Sequence, residues 1–255
     1  MIDTHCHIDF QDFDQDRDAV LKRCANNGVN QIVVPAVSAA SFHRTIDTCR
    51  RYASLQLALG LHPTLIDEHQ PQHLIELDLL ISQHRPKAVG EIGLDFYEKR
   101  LTNGNLKEKQ IAFFTKQLII AKQHDLPVII HNRKAHDECL QLLASEQTRG
   151  GIIHAFNGSI QHAEKYIELG FVLGFGGMLT FERSTKLSKL AEQIPLQAIV
   201  LETDAPDMTV WQHKGQRNSP EYLPYVQHAL AAIKGCSIET IAETTANNAK
   251  RILAI

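Results

Sequence analysis

The residues best suited to chemistry begin near the amino terminus, where two histidines lie two positions apart. His5 and His7 follow Ile2 and Asp3 in a short segment with the character of a β-strand. Side chains two apart on a strand point to the same side, so both imidazoles can bind one metal ion. Imidazole is a common ligand of divalent transition metals. This spacing therefore predicts a metal site at the end of the first strand.

Further potential ligands occur where other apolar runs of the chain end. Each follows a segment too apolar to solvate it, which favours pairing or metal binding of the polar side chain. Glu91, for example, stands among small and apolar residues in Gly90-Glu91-Ile92-Gly93. The candidates at these run ends are His5, His7, His62, Glu91, His131, His154 and Asp204.

Six of these side chains predict a centre for two divalent metal ions: His5, His7, Glu91, His131, His154 and Asp204. Six ligands are too many for one tetrahedral site, and the two oxygens of Glu91 can bridge two cations. Such a centre can activate water and neutralise charge on a phosphoryl oxygen. We therefore predict hydrolysis, with Glu91 and Asp204 as catalytic carboxylates. Zinc, manganese and magnesium all suit this mixture of ligands.

The elements that must position these groups are eight short β-branched or apolar runs, which alternate with segments of helical periodicity. In one such segment Ile111, Phe114, Leu118 and Ala121 fall on one helical face. The predicted strands are Ile2 to Cys6, Gln31 to Val37, Leu55 to Leu61, Ala88 to Gly93, Pro127 to Ile130, Gly151 to His154, Phe171 to Gly176 and Ala198 to Glu202.

Eight such units in 255 residues match the size of a (β/α)8 TIM barrel, and no linker divides the chain. We predict an α/β fold with a single barrel domain over residues 1–255. Gly28 and Gly170 stand where helices should end. A last helix from about Ser237 to Ile252 is expected to close the outside. The candidate ligands then all lie at the carboxyl ends of strands, where such barrels carry their reactive groups.

The composition is that of an ordinary globular protein, with 44% hydrophobic and 22% charged residues. The formal charge of −3 excludes a protein that grips nucleic acid through bulk charge, so an anionic substrate must be held locally. Two divalent cations would place positive charge at the barrel mouth. Five cysteines without a C-x-x-C pair indicate reduced thiols. We find no membrane span or secretory signal, and predict a cytoplasmic protein.

Seven segments surround the candidate ligands and two arginines. They are Asp3-Thr4-His5-Cys6-His7, Gly60-Leu61-His62-Pro63, Gly90-Glu91-Ile92-Gly93-Leu94-Asp95, Val128-Ile129-Ile130-His131-Asn132-Arg133, His154-Ala155-Phe156-Asn157-Gly158, Glu202-Thr203-Asp204-Ala205-Pro206 and Arg217-Asn218-Ser219-Pro220. Together they resemble the TatD family of metal-dependent hydrolases. The resemblance implies a barrel of the metallo-dependent hydrolase type.

Position by position, the resemblance implies one metal at His5, His7, Glu91 and Asp204 and a second at Glu91, His131 and His154. It also implies that Asp204 is the general base and that the enzyme is a deoxyribonuclease, often an exonuclease. Ala155 and Asn157 replace the more usual Cys and Ser of the family. This departure resembles the YjjV-like branch, and it weakens the assignment of DNA as substrate while leaving the metal site intact.

Three further side chains are candidates for binding the substrate. Arg133 and Arg217 can offer a planar fork of donors to phosphate oxygens, and His62 can touch the same group. Trp211 can stack a nucleobase or pack its loop onto the barrel. The histidines outside the motifs, His69 among them, fall on predicted helices or loops and are interpreted as mostly solvated.

Two other functions remain open. The same two-metal centre can polarise a carbonyl, which would give an amidohydrolase or an esterase acting on a small amide, lactone or ester. A non-catalytic metal-binding barrel is the third possibility, and the complete ligand set disfavours it. The expected partner is DNA or another phosphodiester at the barrel mouth, with no membrane and no obligate protein partner. A monomer is expected.

Overall fold

The computed structural model describes all residues from 1 to 255 and contains eight β-strands in one sheet. The order in the sheet is the order in the chain, and every hydrogen-bonded pair of neighbours is parallel. The strands are β1 (Ile2–Asp3), β2 (Gln31–Pro35), β3 (Leu55–Leu59), β4 (Ala88–Asp95), β5 (Val128–Arg133), β6 (Gly151–Ile153), β7 (Phe171–Phe175) and β8 (Ile199–Leu201).

The first and last strands meet through backbone hydrogen bonds that curl the sheet into a barrel. The amide of Thr4 donates to the carbonyl of Leu201 at 3.0 Å, and the amide of Asp204 donates to the carbonyl of His5 at 2.9 Å. The predicted TIM barrel is therefore confirmed, and a strand begins in each of the eight predicted runs, although β4 and β5 extend past theirs to Asp95 and Arg133. β1 ends at Asp3, earlier than expected, because the backbone beyond Asp3 no longer pairs regularly with β2. This irregular segment carries His5 and His7.

Helices follow the strands and, apart from the last one, cover the outside of the barrel. They are α1 (Arg17–Asn26), α2 (Phe42–Arg51), α3 (Pro71–His84), α4 (Leu106–Gln123), α5 (His136–Glu146), α6 (Ile160–Glu168), α7 (Thr185–Gln193), α8 (Leu223–Lys234) and α9 (Ile238–Leu253). Gly28 and Gly170 adopt positive φ just after α1 and α6, as expected of residues that end helices. None of these helices is both long and apolar enough to cross a membrane.

The bottom of the barrel, away from the carboxyl ends of the strands, is filled by one apolar side chain from each strand. These eight are Ile2, Val33, Ala58, Ala88, Ile129, Ile152, Val172 and Val200. Ala249, Ile252 and Leu253 of α9 join the same buried cluster. The last helix thus covers the bottom of the barrel, which differs from the expectation that it closes the outside. Polar groups are left to the opposite end, where the strands point their carboxyl termini.

Candidate metal centre

A cavity of about 750 Å³ opens at the carboxyl ends of the strands, and most of the predicted site residues line it. His5 lies beneath the cavity floor, fully buried. Arg217 does not reach the cavity. The predicted residues that line it are His7, His62, Glu91, His131, Arg133, His154 and Asp204. The long-range folding of the chain therefore brings the candidate ligands together as the strand-end argument requires.

His5, His7 and Asp204 form the first group that can hold a cation. The Nε2 atoms of His5 and His7 are 3.3 Å apart, and each lies 3.7 Å from Oδ1 of Asp204. Ligand atoms about 2.0–2.1 Å from a tetrahedral zinc ion would be separated by about 3.3 Å. The residues therefore fit a divalent metal ion.

Glu91 lies at the centre of the site, and its two oxygens face different histidines. Oε2 is 3.0 Å from Nε2 of His5 and 3.6 Å from Nε2 of His7. Oε1 is 3.2 Å from Nε2 of His62 and 3.3 Å from Nδ1 of His131. Burial alone would raise the pKa of this carboxyl, but the surrounding histidines outweigh it and hold the pKa well below its usual range. Glu91 is thus an ionised carboxylate with one oxygen for each half of the site.

His131 is oriented by a second carboxylate, that of Asp95. Nε2 of His131 lies 3.1 Å from Oδ2 of Asp95, while Oδ1 of Asp95 accepts the amide of Tyr97 at 2.9 Å. Burial disfavours the imidazolium, but the hydrogen bonds to Asp95 and Glu91 outweigh it and raise the pKa of His131 to about 9. This part of the site attracts positive charge, and a divalent cation can take the place of the proton.

His154 lies beside the carboxylate of Glu202, which directly follows β8. Nδ1 of His154 is 3.0 Å from Oε1 of Glu202, and Nε2 is 3.6 Å from Oδ2 of Asp204. Gly174 permits this arrangement, because a Cβ at that position would overlap the Glu202 carboxylate. The structure groups His154 with His5 and Glu91, whereas the sequence resemblance paired it with His131.

His62 was predicted to bind the substrate, but its side chain lies among the candidate metal ligands. It forms a group with Glu91 and His131 whose ligand atoms could hold a cation. Thr64 fixes the ring, since its Oγ1 lies 2.6 Å from Nδ1 of His62. The signal was present in the sequence, because His62 ends an apolar run as the other ligands do.

His69 was interpreted as solvated, and that interpretation is wrong. Its side chain is buried, and Nε2 of His69 donates to the carbonyl of His62 at 2.9 Å. Burial lowers the pKa of His69 to about 4, so the ring is neutral and keeps one nitrogen as a donor. His69 thereby fixes the backbone of the loop that carries His62.

Asp204 is placed by a network that links β1 to the segment after β8. Asp3 accepts the amide and the hydroxyl of Thr203, at 3.0 and 2.6 Å, and the amide of His5 at 3.2 Å. Asp204 itself has a φ of 57°, in the left-handed region. Burial would raise the pKa of Asp204, but the nearby histidines, His154 foremost, outweigh it and lower the pKa to about 2. The carboxylate is therefore ionised at neutral pH.

Asn218 holds the loop that follows Asp204. Its side-chain amide donates to the carbonyls of Thr203 and Asp207 at 2.8 and 2.7 Å, and its backbone amide donates to Pro206 at 2.9 Å. Asn218 is fully buried.

We expect Asn218→Ala to lower the free energy of unfolding by about 2–4 kcal/mol, because two carbonyls lose their donor inside the protein. Denaturant titration would measure this loss. Asn30→Ala, at an exposed position, is the matched control and should change stability by less than about 0.5 kcal/mol. Equal stability of the two variants would show that the loop is held by other contacts.

The remaining candidates for substrate binding differ in where their side chains point. The guanidinium of Arg133 lies over the ring of Tyr97 at 3.7 Å and lines the cavity. Arg217 instead forms a two-pronged ion pair with Asp16, at 2.9 and 2.7 Å. Trp211 is 54% exposed and packs edge-to-face on Phe181, outside the cavity.

A parallel eight-stranded barrel that gathers histidines and carboxylates at its strand ends is the architecture of a metal-dependent hydrolase. The family model described as TatD related DNase matches residues 2–254. This chain therefore belongs to the TatD family.

Relatives with similar sequences and structures agree with this assignment. An uncharacterized metal-dependent hydrolase of Escherichia coli, YjjV, is 39% identical over 97% of this chain and 95% of its own length. Human deoxyribonuclease TATDN3 is 31% identical over 99% of this chain and 94% of its own. The crystal structure of Escherichia coli YjjV, a TatD homolog, superimposes with a TM-score of 0.95, at 37% identity over 100% of this chain and 98% of that one. The similarity to YjjV supports the branch indicated by Ala155 and Asn157.

Proposed function

We propose that this hydrolase is a phosphodiesterase that cleaves DNA with the help of two divalent metal ions. The observation that carries the proposal is that the two oxygens of the Glu91 carboxylate face different pairs of histidines. Oε2 faces His5 and His7, while Oε1 faces His62 and His131. A carboxylate shared between two groups of imidazoles is what a two-metal hydrolase needs. The human relative that is called a deoxyribonuclease supports DNA as the substrate class.

The residues proposed to hold the metals are His5, His7, Glu91, His131, His154 and Asp204, with His62 as a further ligand beside Glu91 and His131. When bound there, divalent cations would supply Lewis acidity that activates water and offsets charge on the phosphoryl oxygens. Asp95 and Glu202 hold the rings of His131 and His154 in place. Such outer carboxylates fix the orientation of ligating imidazoles.

Asp204 is proposed to accept the proton of the attacking water. Its carboxylate is ionised at neutral pH and lies at the cavity wall, with Oδ1 toward His5 and His7 and Oδ2 toward His154. The fixed position of Asp204 makes it available to the reacting water without rearrangement.

Arg133 is proposed to bind a phosphate oxygen at the mouth, since its guanidinium is exposed there and makes no ion pair. We expect Arg133→Ala to raise KM for an oligodeoxynucleotide about tenfold. Arg217→Ala should change KM less than about twofold, because Asp16 already engages that guanidinium. Initial rates with a fluorescent oligonucleotide would measure both. A larger effect of Arg217→Ala would return Arg217 to the substrate site.

A second candidate is an esterase or amidohydrolase for small molecules. The observation that favours it is the apolar part of the cavity lining, which includes Phe10, Phe156, Phe175, Met178 and Met208. Such a wall suits an apolar acyl or leaving group as well as a nucleobase. The two candidates differ in the reacting atom, phosphorus or carbon, and a substrate panel separates them.

The test is cleavage of end-labelled single- and double-stranded DNA by protein loaded with magnesium, manganese or zinc, with metal content measured on the same samples. Wild-type cleavage that EDTA abolishes would support the proposal, and the retained label would give the direction of digestion. Two metals per chain without DNA cleavage would overturn the nuclease assignment and direct the search to esters, lactones and amides. A chain that binds metal and hydrolyses none of these would be a non-catalytic barrel.

A further inference from the structure

A second cavity, of about 510 Å³, adjoins the catalytic one at the ends of β5 and β6. The two share Arg133 and Asn157 in their walls, so a ligand can extend from one into the other. We call this second space the side cavity. It is lined by Tyr97, Arg133, Lys134, His136, Asp137, Asn157, Gly158, Ser159, His162 and Lys186.

The side cavity is positively charged within a chain whose formal charge is −3. Arg133, Lys134 and Lys186 are exposed, and none has a carboxylate within 4.0 Å. Asp137 is the single acid among the lining residues, and Oδ1 of Asp137 lies 3.3 Å from Nε2 of His162. Three cations without partners facing one concave surface form a site for an anion.

Two of these cations occupy positions that the local backbone does not favour. Lys134 has a φ of 61°, in the left-handed region, which costs a residue with a side chain about 1 kcal/mol or more. Lys186 lies in the first turn of α7, where the helix dipole disfavours a positive charge. Neither placement stabilises the fold, whereas both direct a cation to the same space.

The third cation is held at the junction of the cavities. The guanidinium of Arg133 stacks on the ring of Tyr97 at 3.7 Å, and the amide of Tyr97 donates to Asp95, the carboxylate that orients His131. The metal centre and the edge of the side cavity are therefore built on the carboxyl ends of the same two neighbouring strands, β4 and β5. A group bound in the side cavity would have a fixed position relative to the reacting phosphate.

We propose that the side cavity binds the backbone phosphate next to the scissile one in a polynucleotide, through Lys134 and Lys186. This inference rests on the proposed phosphodiesterase function. A strand of nucleic acid carries a phosphate at every nucleotide, so a substrate held at the metal centre presents another to the adjoining space. The lining is almost wholly polar, which suits a phosphate and its sugar rather than an apolar group.

The test compares three substrates: the dinucleotide of thymidine, and the same compound with an added phosphate at one end or the other. For wild type we expect one of the added phosphates to lower KM at least about fivefold. Lys186→Gln and Lys134→Asn should reduce that advantage, since each removes a charge. Asn is chosen at 134 because it tolerates a positive φ.

Lys189→Gln is the matched control, because Lys189 is exposed on the same helix and lines neither cavity. It should keep the wild-type advantage for the phosphorylated dinucleotide. The proposal is overturned if wild type gains nothing from either added phosphate, or if Lys186→Gln and Lys134→Asn behave as Lys189→Gln does.

A binding measurement separates failure of this inference from failure of the proposed function. The probe is a labelled hexathymidylate with cleavage-resistant phosphorothioate linkages, followed by fluorescence anisotropy at several salt concentrations. The slope of log K against log salt should fall by about 0.7 for each side-cavity lysine removed. Unchanged slopes overturn the side site whatever the activity. A lysine-dependent slope in a protein that cleaves no phosphodiester would retain the side site and overturn only the catalytic assignment.

Discussion

Glu91→Gln is expected to remove both metals and to lower kcat by at least about a thousandfold. The amide keeps the shape of the side chain, but it carries no charge and offers a single acceptor oxygen to two groups of histidines. Loss of metal assistance costs several kcal/mol in the transition state, and each 1.36 kcal/mol is a factor of ten in rate. Elemental analysis and initial rates on the same preparation would measure both effects.

The control for this experiment is Glu164→Gln, an equal change of charge at an exposed position of α6. It should retain the metals and the activity of wild type. Circular dichroism would show that both variants are folded. If Glu91→Gln kept two metals and full turnover, the shared carboxylate would not be the centre of the site, and the two-metal proposal would fall with it.

Asp204→Asn is expected to lower kcat by about 10²- to 10⁴-fold while the protein remains folded. The amide fills the same space but cannot accept a proton, whereas the wild-type carboxylate, with its pKa lowered to about 2, is ionised at neutral pH. We expect Tm to change by no more than a few degrees, because Asp3, Thr203 and Asn218 hold the loop independently of this side chain.

The same variant tests the purity of the enzyme. A contaminating nuclease would give the same rate in wild type and in Asp204→Asn purified identically. Equal rates that persist in both after further purification, in samples with full metal content, would instead remove Asp204 from proton transfer. A fall in kcat together with loss of all metal would show that Asp204 acts chiefly as a ligand.

The barrel could be predicted from the sequence because parallel strands buried on both faces form continuous apolar runs, which turn signals and helical segments separate. The candidate ligands were predicted by the same logic, since a polar side chain at the end of such a run is expected at the barrel mouth. His5 and His7 needed only local spacing. For each of these residues, its place at the end of an apolar run was enough to predict metal binding.

Other roles depend on partners that no local pattern specifies. Asp95 orients a histidine 36 residues away, and Arg217 pairs with Asp16 across 201 residues. Its pairing with Asp16 depends on how the loop after β8 packs against α1, which tertiary structure decides. The burial of His69 is a similar case, because the local sequence around it does not differ from that of an exposed polar loop residue. Local sequence patterns therefore predicted the candidate ligands, while long-range packing determines which residues hold them in place.

The apolar cluster under the barrel joins Ile2 of β1 to Leu253 of α9. Its completion must therefore wait until α9, which follows all eight strands in the sequence, has been synthesised. Until α9 docks, a nascent chain exposes one apolar side chain from every strand at the open bottom of the sheet. Contacts between residues so far apart in sequence slow folding, and apolar surface stays exposed to water until they form. The candidate ligands at the opposite end include both His5 and Asp204, so they too come together late in folding.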